Sequence, residues 1–266
     1  MPDSDTPVTK VSQVSPDLIR KYIDGCHILH YYDLVDAYGH LSVRLSPSTF
    51  LMSRYMAPAL VAWPEDLVVY KVEDGEPVDP NAPRGFSERF IHSEIYKAYP
   101  DVHATVHSHS LTVIPFSISS QPLSACFHMA GFLGCRVPVW DMDTVYTDDD
   151  HRSMLVSSTR FGMSLAQALG GAGEGGRGEP RYPVVLMRGH GMVVTADRIE
   201  MVVLRSIYTA QNARVQQSAI GLGGAVKLFT EKEARDTGGT TAQGAVKPWP
   251  LWKREVENST LYQNLA

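Results

Sequence analysis

Apolar positions recur at helical spacing over residues 16–38 (Ile19, Tyr22, Ile23, Cys26, Leu29, Leu34), and Gly39 ends the pattern. The rhythm then shortens. Runs at 41–45, 49–52 and 67–72 read as strands, and Glu73-Asp74-Gly75-Glu76 reads as the turn after the last of them. Ser87 suits the N-cap of a helix over 88–98, which Pro100 terminates. A strand over 102–109 follows, then an apolar helix from about Leu111, a strand over 136–140 and a helix over 150–169 that stops at Gly170-Gly171. A second buried strand is expected over 183–188, with a sharp turn at Gly189-His190-Gly191 and a long helix over about 197–220. Beyond it, 238–244 reads as a glycine-containing loop, followed by Trp249, Trp252 and a short helix.

Hairpin-like spacing early in the chain and irregular mixing of strands and helices predict one α/β domain. Its central sheet should be largely antiparallel, with helices flanking it. The domain spans 16–266, residues 1–15 form a flexible arm, and 170–180 is too glycine-rich to pack and reads as a flexible loop. No internal repeat is visible.

Composition narrows the function classes. Of 266 residues, 44% are hydrophobic, enough for a buried core and too many for a disordered chain. A net charge of -5 offers nothing to nucleic acid or to an anionic membrane. No apolar run is long enough to cross a bilayer, and the polar start lacks the basic and apolar regions of a secretory signal. Three cysteines, Cys26, Cys126 and Cys135, show no metal spacing and read as reduced thiols. A cytoplasmic location is expected.

The strand over 102–109 carries the most informative chemistry. His107 and His109 are two apart, so on a strand they share one face and can grip the same ion. His190 ends the other apolar run, and Glu88 opens the helix before the histidine strand. Three neutral nitrogens beside a carboxylate suit a catalytic divalent metal with an open position. Each residue also has a structural reading: histidines in a core or a turn, and an acid favouring a helix start.

The ordered set Ser87-Glu88, His92, Pro100-Asp101-Val102, Val106-His107-Ser108-His109-Ser110 and Arg188-Gly189-His190-Gly191 resembles the class II aldolase/adducin family over about 17–220. The resemblance implies that His107, His109 and His190 are metal ligands and that Glu88 is the acid/base beside the ion. It also implies a homo-oligomer, a tetramer with active sites shared between subunits. One divalent ion per subunit is expected, Zn²⁺ or Mn²⁺ foremost, with Fe²⁺ and Co²⁺ also fitting, and no organic cofactor.

Departures from the family pattern point to substrate class. Sugar-phosphate members cradle phosphate with small residues so that backbone N–H groups can approach it closely. This chain has Gly39-His40-Leu41-Ser42, Ser53-Arg54-Tyr55-Met56 and Phe86-Ser87 in those places. The bulkier set resembles the decarboxylase branch, which acts on hydroxylated aromatic and heteroaromatic acids such as pyridine dicarboxylates. The implied activity is non-oxidative decarboxylation through a metal-stabilised enolate. The expected substrate-binding residues are Arg54, His40, Ser42, Ser53, Phe86 and Ser87. Arg54 reads either as a carboxylate-binding fork or as a surface charge, and His40 either lines the pocket or packs in a turn. His128 takes the place where aldolases supply a tyrosine from the neighbouring subunit, and is a second candidate proton donor. His92 is expected to support or pack behind the site, and Arg44 either pairs structurally or touches substrate. Two alternatives stay open: an aldolase, epimerase or dehydratase on a small sugar-like molecule, and a non-enzymatic interaction module like the adducin head.

Overall fold

The computed structural model describes residues 8–171 and 178–266, so the expected loop at 170–180 and the arm at 1–15 fall partly outside the described residues. Of the arm, Val11–Gln13 wind a 3-10 turn and Val14 is buried against the core. Helix α1 (Pro16–Tyr31) starts where Ser15 Oγ accepts the Leu18 N–H at 3.2 Å, with proline in its first turn. It ends seven residues before the expected boundary at 38, because Asp33 turns into the left-handed region at φ 57°.

Strands β1 (His40–Arg44), β2 (Thr49–Ser53) and β3 (Leu67–Lys71) follow, then α2 (Arg89–Ala98), β4 (Ala104–Ser108) and α3 (Ile114–Ile118). The second half holds β5 (Val139–Trp140), α4 (Thr159–Ala168), β6 (Val184–Met187), β7 (Gly191–Ala196), α5 (Ile199–Gly221), α6 (Glu231–Gln243) and α7 (Trp249–Glu257). The seven-stranded sheet runs in the order β3-β2-β1-β4-β7-β6-β5. Every pairing is antiparallel except β5 with β6. No helix among the described residues is long and apolar enough to cross a membrane.

Helices cover both faces, so each strand is buried on both sides and does not alternate apolar with exposed polar residues. Leu41, Val43, Ala104, Val106, Met192 and Val194 join the core under α1, α5 and α7. Phe50, Met52, Val185 and Val193 join the core under α2 and α4. Side chains on a strand point alternately to the two faces, so His40, Ser42, Arg44 and His107 all fall on the α2 side. The fold therefore gathers polar residues on one face, in the middle of the sheet.

Three elements differ from the sequence expectation. Strand β7 stands where only a turn was expected, and it pairs with the full length of β4. A Cβ at Gly191 would lie 2.0 Å from the Ser108 carbonyl oxygen, so glycine is what lets β7 begin there. The expected loop at 238–244 is mostly the end of α6, whose glycines let it lie backbone to backbone on the 3-10 turn His128–Leu133: a Cβ at Gly131 would meet Gly238 N at 2.5 Å. The capping box Thr230/Glu233 was the local signal for this helix. The helix expected over 150–169 begins only at Thr159, where Ser158 caps it, and the residues before it run as an irregular strap.

Gly162 of α4 packs directly on α2, and a Cβ there would sit 2.3 Å from the Phe90 carbonyl oxygen. Gly162→Ala should therefore destabilise the fold by about 1–3 kcal/mol through overpacking. Thermal unfolding reads this as a lowered midpoint. An unchanged midpoint would mean that the two helices part freely.

Candidate metal centre

His107 is the fourth residue of β4, and its ring lies on the α2 face. His109 lies just past the strand end, two residues on. Pairing of Ser108 with Met192 brings the β6–β7 turn alongside, and with it His190, whose N–H is bonded to the Met187 carbonyl at 3.0 Å. Gly189 at φ 67° gives that turn a backbone that side chains resist. Glu88 arrives from the opposite side, at the start of α2. It takes the N-cap position expected for Ser87, but its side chain caps nothing, because the carboxylate is turned into the centre.

One ligand atom from each of Glu88, His107, His109 and His190 lies within 4.8 Å of all the others. The Nε2 atoms of His107 and His109 are 2.9 Å apart, and those of His109 and His190 are 3.0 Å apart. Glu88 Oε2 stands 3.5 Å from His107 Nε2 and 3.8 Å from His190 Nε2. His107 Nδ1 lies 3.2 Å from the Met192 carbonyl oxygen, which can only accept. Nδ1 therefore carries the ring proton, and Nε2 turns a bare lone pair to the centre.

The electrostatics fit a cation. Burial opposes ionisation of Glu88, but His107, His190 and the Val156 N–H outweigh it and hold the carboxyl down at about 2. Burial, reinforced by His107, pushes His190 down to about 4 and His109 down as well. At His109 and His190 this favours the neutral imidazole, and at Glu88 the ionised carboxylate, the states that bind metal. Lone pairs on nitrogens about 3 Å apart repel unless a shared positive charge lies between them, and bonds of about 2.0–2.1 Å from one ion would space them this closely. The donor set fits a divalent ion.

His40 pairs with His107 across β1 and β4, and their ring centroids are 5.1 Å apart. Phe86, itself buried, packs 4.7 Å from the His40 ring, and Tyr55 meets Phe86 edge-on at 5.4 Å. Behind His40 runs a buried polar chain. His40 Nδ1 lies 2.7 Å from His92 Nε2, His92 Nδ1 lies 2.6 Å from Ser42 Oγ, and Ser42 Oγ lies 2.7 Å from Tyr96 OH. Burial pushes His40 well below its ordinary value and His92 down to about 3, so both rings are neutral. Ser42 is committed to this chain. Arg44 donates to the carbonyls of Tyr96, Tyr99 and Val102, and it has no ion pair among the described residues.

Of the other expected site residues, Ser53, Ser87 and His128 lie elsewhere, and Arg54 directly follows the end of β2. Ser53 falls on the α1 face of the sheet, where its N–H is bonded to Tyr22 OH at 2.8 Å. Ser87 is exposed and lines a surface cleft with Tyr70 and Arg89. Arg54 is tied to Asp66 at 3.0 Å. His128 lies by α5 and α6, lining a mostly apolar cavity of about 740 Å³ with Leu204, Tyr208 and Leu251, and no residue of the metal cluster lines that cavity. Two contributors carry no sequence signal of their own. The Val156 N–H donates to Glu88 Oε1 at 3.0 Å, and the exposed Tyr38 ring stands 6.5 Å from that of His109.

Comparison with known proteins agrees with this geometry. The family model for the Class II Aldolase and Adducin N-terminal domain matches residues 20–217. The chain is 43% identical over 261 residues to the decarboxylase tropJ of Talaromyces stipitatus, covering 93% of this chain and 97% of that protein. It is 25% identical over 232 residues to a 3,4-dihydroxyphthalate decarboxylase of Rhodococcus jostii, covering 82% and 85%. Its fold is similar to that of the L-fuculose 1-phosphate aldolase from Glaciozyma antarctica, with a TM-score of 0.70 at 20% identity, covering 98% of each chain. The three-histidine strand and turn, the opposing glutamate and the antiparallel sheet thus belong to a chain that is a member of the class II aldolase and adducin family.

Proposed function

We propose that this protein is a metal-dependent lyase that removes carbon dioxide from a hydroxylated aromatic carboxylate. The observation that carries the reading is the aromatic packing beside the candidate metal cluster. Phe86, packed on His40, fills with an aromatic ring a place where a phosphate would need small residues and free N–H groups. The names of the relatives from Talaromyces stipitatus and Rhodococcus jostii, both decarboxylases, support the same reaction type.

His107, His109 and His190 would hold the ion, with Zn²⁺, Mn²⁺, Fe²⁺ or Co²⁺ suited to the donor set. When bound, it supplies positive charge beside the substrate oxygen on which negative charge develops. Glu88 is ionised at neutral pH, and the Val156 N–H holds one of its oxygens. Its free oxygen can take the proton of a ring hydroxyl. Glu88 then gives that proton to the ring carbon that bears the carboxylate, which leaves a ring carbonyl. As the bond to the carboxylate breaks, carbon dioxide leaves and the electron pair flows through the ring to the oxygen, which becomes an enolate-like phenolate. Phe86 and the neutral His40 fix the plane of the ring and exclude water from it. Arg54 would receive a second carboxylate of the substrate. His128, outside its own chain's centre, would serve a neighbouring subunit in a homotetramer. No nucleic acid or membrane partner and no organic cofactor enter this reading, and the protein is assigned to the cytoplasm.

Chelation should abolish activity and a divalent ion should restore it, and His109→Ala should hold far less metal by elemental analysis. Full turnover by metal-free protein would refute the metal assignment. Glu88→Gln keeps the shape but cannot exchange a proton, so turnover should fall about 10²–10⁴-fold at unchanged metal content. A loss of only a few-fold would reduce Glu88 to a helix-start residue. The reaction type is tested by giving the metal-loaded protein hydroxylated aromatic acids and, separately, fuculose 1-phosphate and ribulose 5-phosphate. Carbon dioxide should appear from an aromatic acid. Cleavage or epimerisation of a sugar phosphate, with no carbon dioxide from any acid, would favour an aldolase or epimerase instead.

A further inference from the structure

Arg54 directly follows β2, and the register of that strand relates it to the strand that carries His40. Ser42 pairs with Met52, and His40 with His107. Continuing the first register by two residues sets Arg54 beside His40 on the same face, since side chains two apart on a strand point the same way. The row is then Arg54, His40, His107, with neighbouring strands about 4.8 Å apart. Two strand spacings, about 10 Å, would then separate the backbones of Arg54 and His107, a span that a bound aromatic diacid and the arginine side chain would bridge together.

Asp66 governs how Arg54 can be used. Its Oδ1 accepts from Arg54 Nε at 3.0 Å and lies 3.0 Å from Nη2. Its Oδ2 accepts the N–H groups of Ala62 at 3.0 Å and Trp63 at 3.1 Å. The backbones are joined too, Arg54 N to Asp66 O at 2.7 Å. The segment that grips Asp66 is itself tied down: the Ala62 carbonyl accepts from Leu265 N at 2.9 Å, and the Val61 carbonyl lies 2.8 Å from His27 Nε2. The Asp66 side chain is 9% exposed and that of Arg54 is 41% exposed. A guanidinium has two edges that can each bind a carboxylate with two parallel bonds. Asp66 takes the Nε/Nη2 edge. Among the described residues the outer Nη1/Nη2 edge has no carboxylate partner.

We propose that Asp66 is a positioning residue that aims the outer edge of Arg54 at the substrate carboxylate that is not lost, so that the enzyme selects aromatic acids with a second carboxylate. The inference rests on the decarboxylase reading above. A half-exposed ion pair adds little stability. The value of this one lies in orientation, because a free arginine would have to give up rotamer freedom each time it bound. Asp66→Asn keeps the volume but cannot accept from both Arg54 and the two backbone N–H groups, so the aim is lost.

The test uses the metal-loaded full chain with 3,4-dihydroxyphthalate and 2,3-dihydroxybenzoate. These share the carboxylate–hydroxyl pair and differ by one carboxylate. The wild type should favour the diacid through KM. Asp66→Asn should raise KM for the diacid about ten-fold, the scale of one charge-assisted hydrogen bond, with kcat and metal content little changed and KM for the monoacid unaffected. Arg54→Gln should raise KM for the diacid at least as much, and the double variant should be no worse than Arg54→Gln alone, as expected for two residues acting through one contact. If Asp66→Asn does not fold, Arg54→Lys, which keeps the charge and loses the outer edge, should still abolish the preference for the diacid. Equal use of both acids by the wild type, additive effects in the double variant, or an equal loss on both acids would overturn the role of Asp66 and leave the decarboxylase reading intact. Carbon dioxide from neither acid, with metal fully bound, would remove the decarboxylase reading and this inference together.

Discussion

A carboxylate and three imidazoles meet within 4.8 Å at the end of the central strand, and the rest of the structure is arranged to keep them there. Left to themselves they would separate, since bare lone pairs and an anion repel at such distances. Three restraints oppose this. The Met192 carbonyl fixes the tautomer of His107. The β4–β7 ladder delivers His190. The Val156 N–H holds Glu88 from behind. Each uses backbone polarity to orient a side chain, which is how a protein pre-forms a site for an ion.

The sheet divides the molecule by function as well as by packing. The α1 face is a large apolar core, stitched by Tyr22, whose hydroxyl donates to the Leu41 carbonyl and accepts from Ser53 N. The α2 face carries the metal centre and, behind it, the chain from His40 through His92 and Ser42 to Tyr96. Burying the polar groups from His40 to Tyr96 is tolerable because each of them finds a partner within that chain. His92 is thereby explained as a support that holds His40 from behind.

Between β5 and α4 the chain gives up helical structure in order to cross the centre. Met154 adopts φ 66°, and its N–H is bonded to Tyr146 OH at 2.9 Å. Arg160 donates to both oxygens of Asp150 and to the Val145 carbonyl, which closes the base of the strap. A positive φ at methionine costs free energy and persists only where surrounding contacts over-determine it. Here those contacts place Val156 against Glu88, and α4 starts only after that contact has been made.

The metal centre was legible in the sequence because its logic is local. The i, i+2 spacing of His107 and His109 fixes their common face on any strand, and glycines beside His190 announce a turn. The antiparallel sheet followed from short runs and tight turns, and the replacement of cradle residues by Arg54 and Phe86 was read from the resemblance to the family. What depended on distant backbone stayed hidden. Strand β7 is defined by its ladder to β4, helix α6 by its glycine contact with Gly131, and the strap by a hydrogen bond from Val156 to a residue far behind it in the chain. The facing of Ser53 towards Tyr22 and the engagement of Arg54 by Asp66 were decided in the same way. Periodicity reports which face a residue takes on its own element. Only the packed fold decides which partner waits there, because that partner comes from elsewhere in the chain.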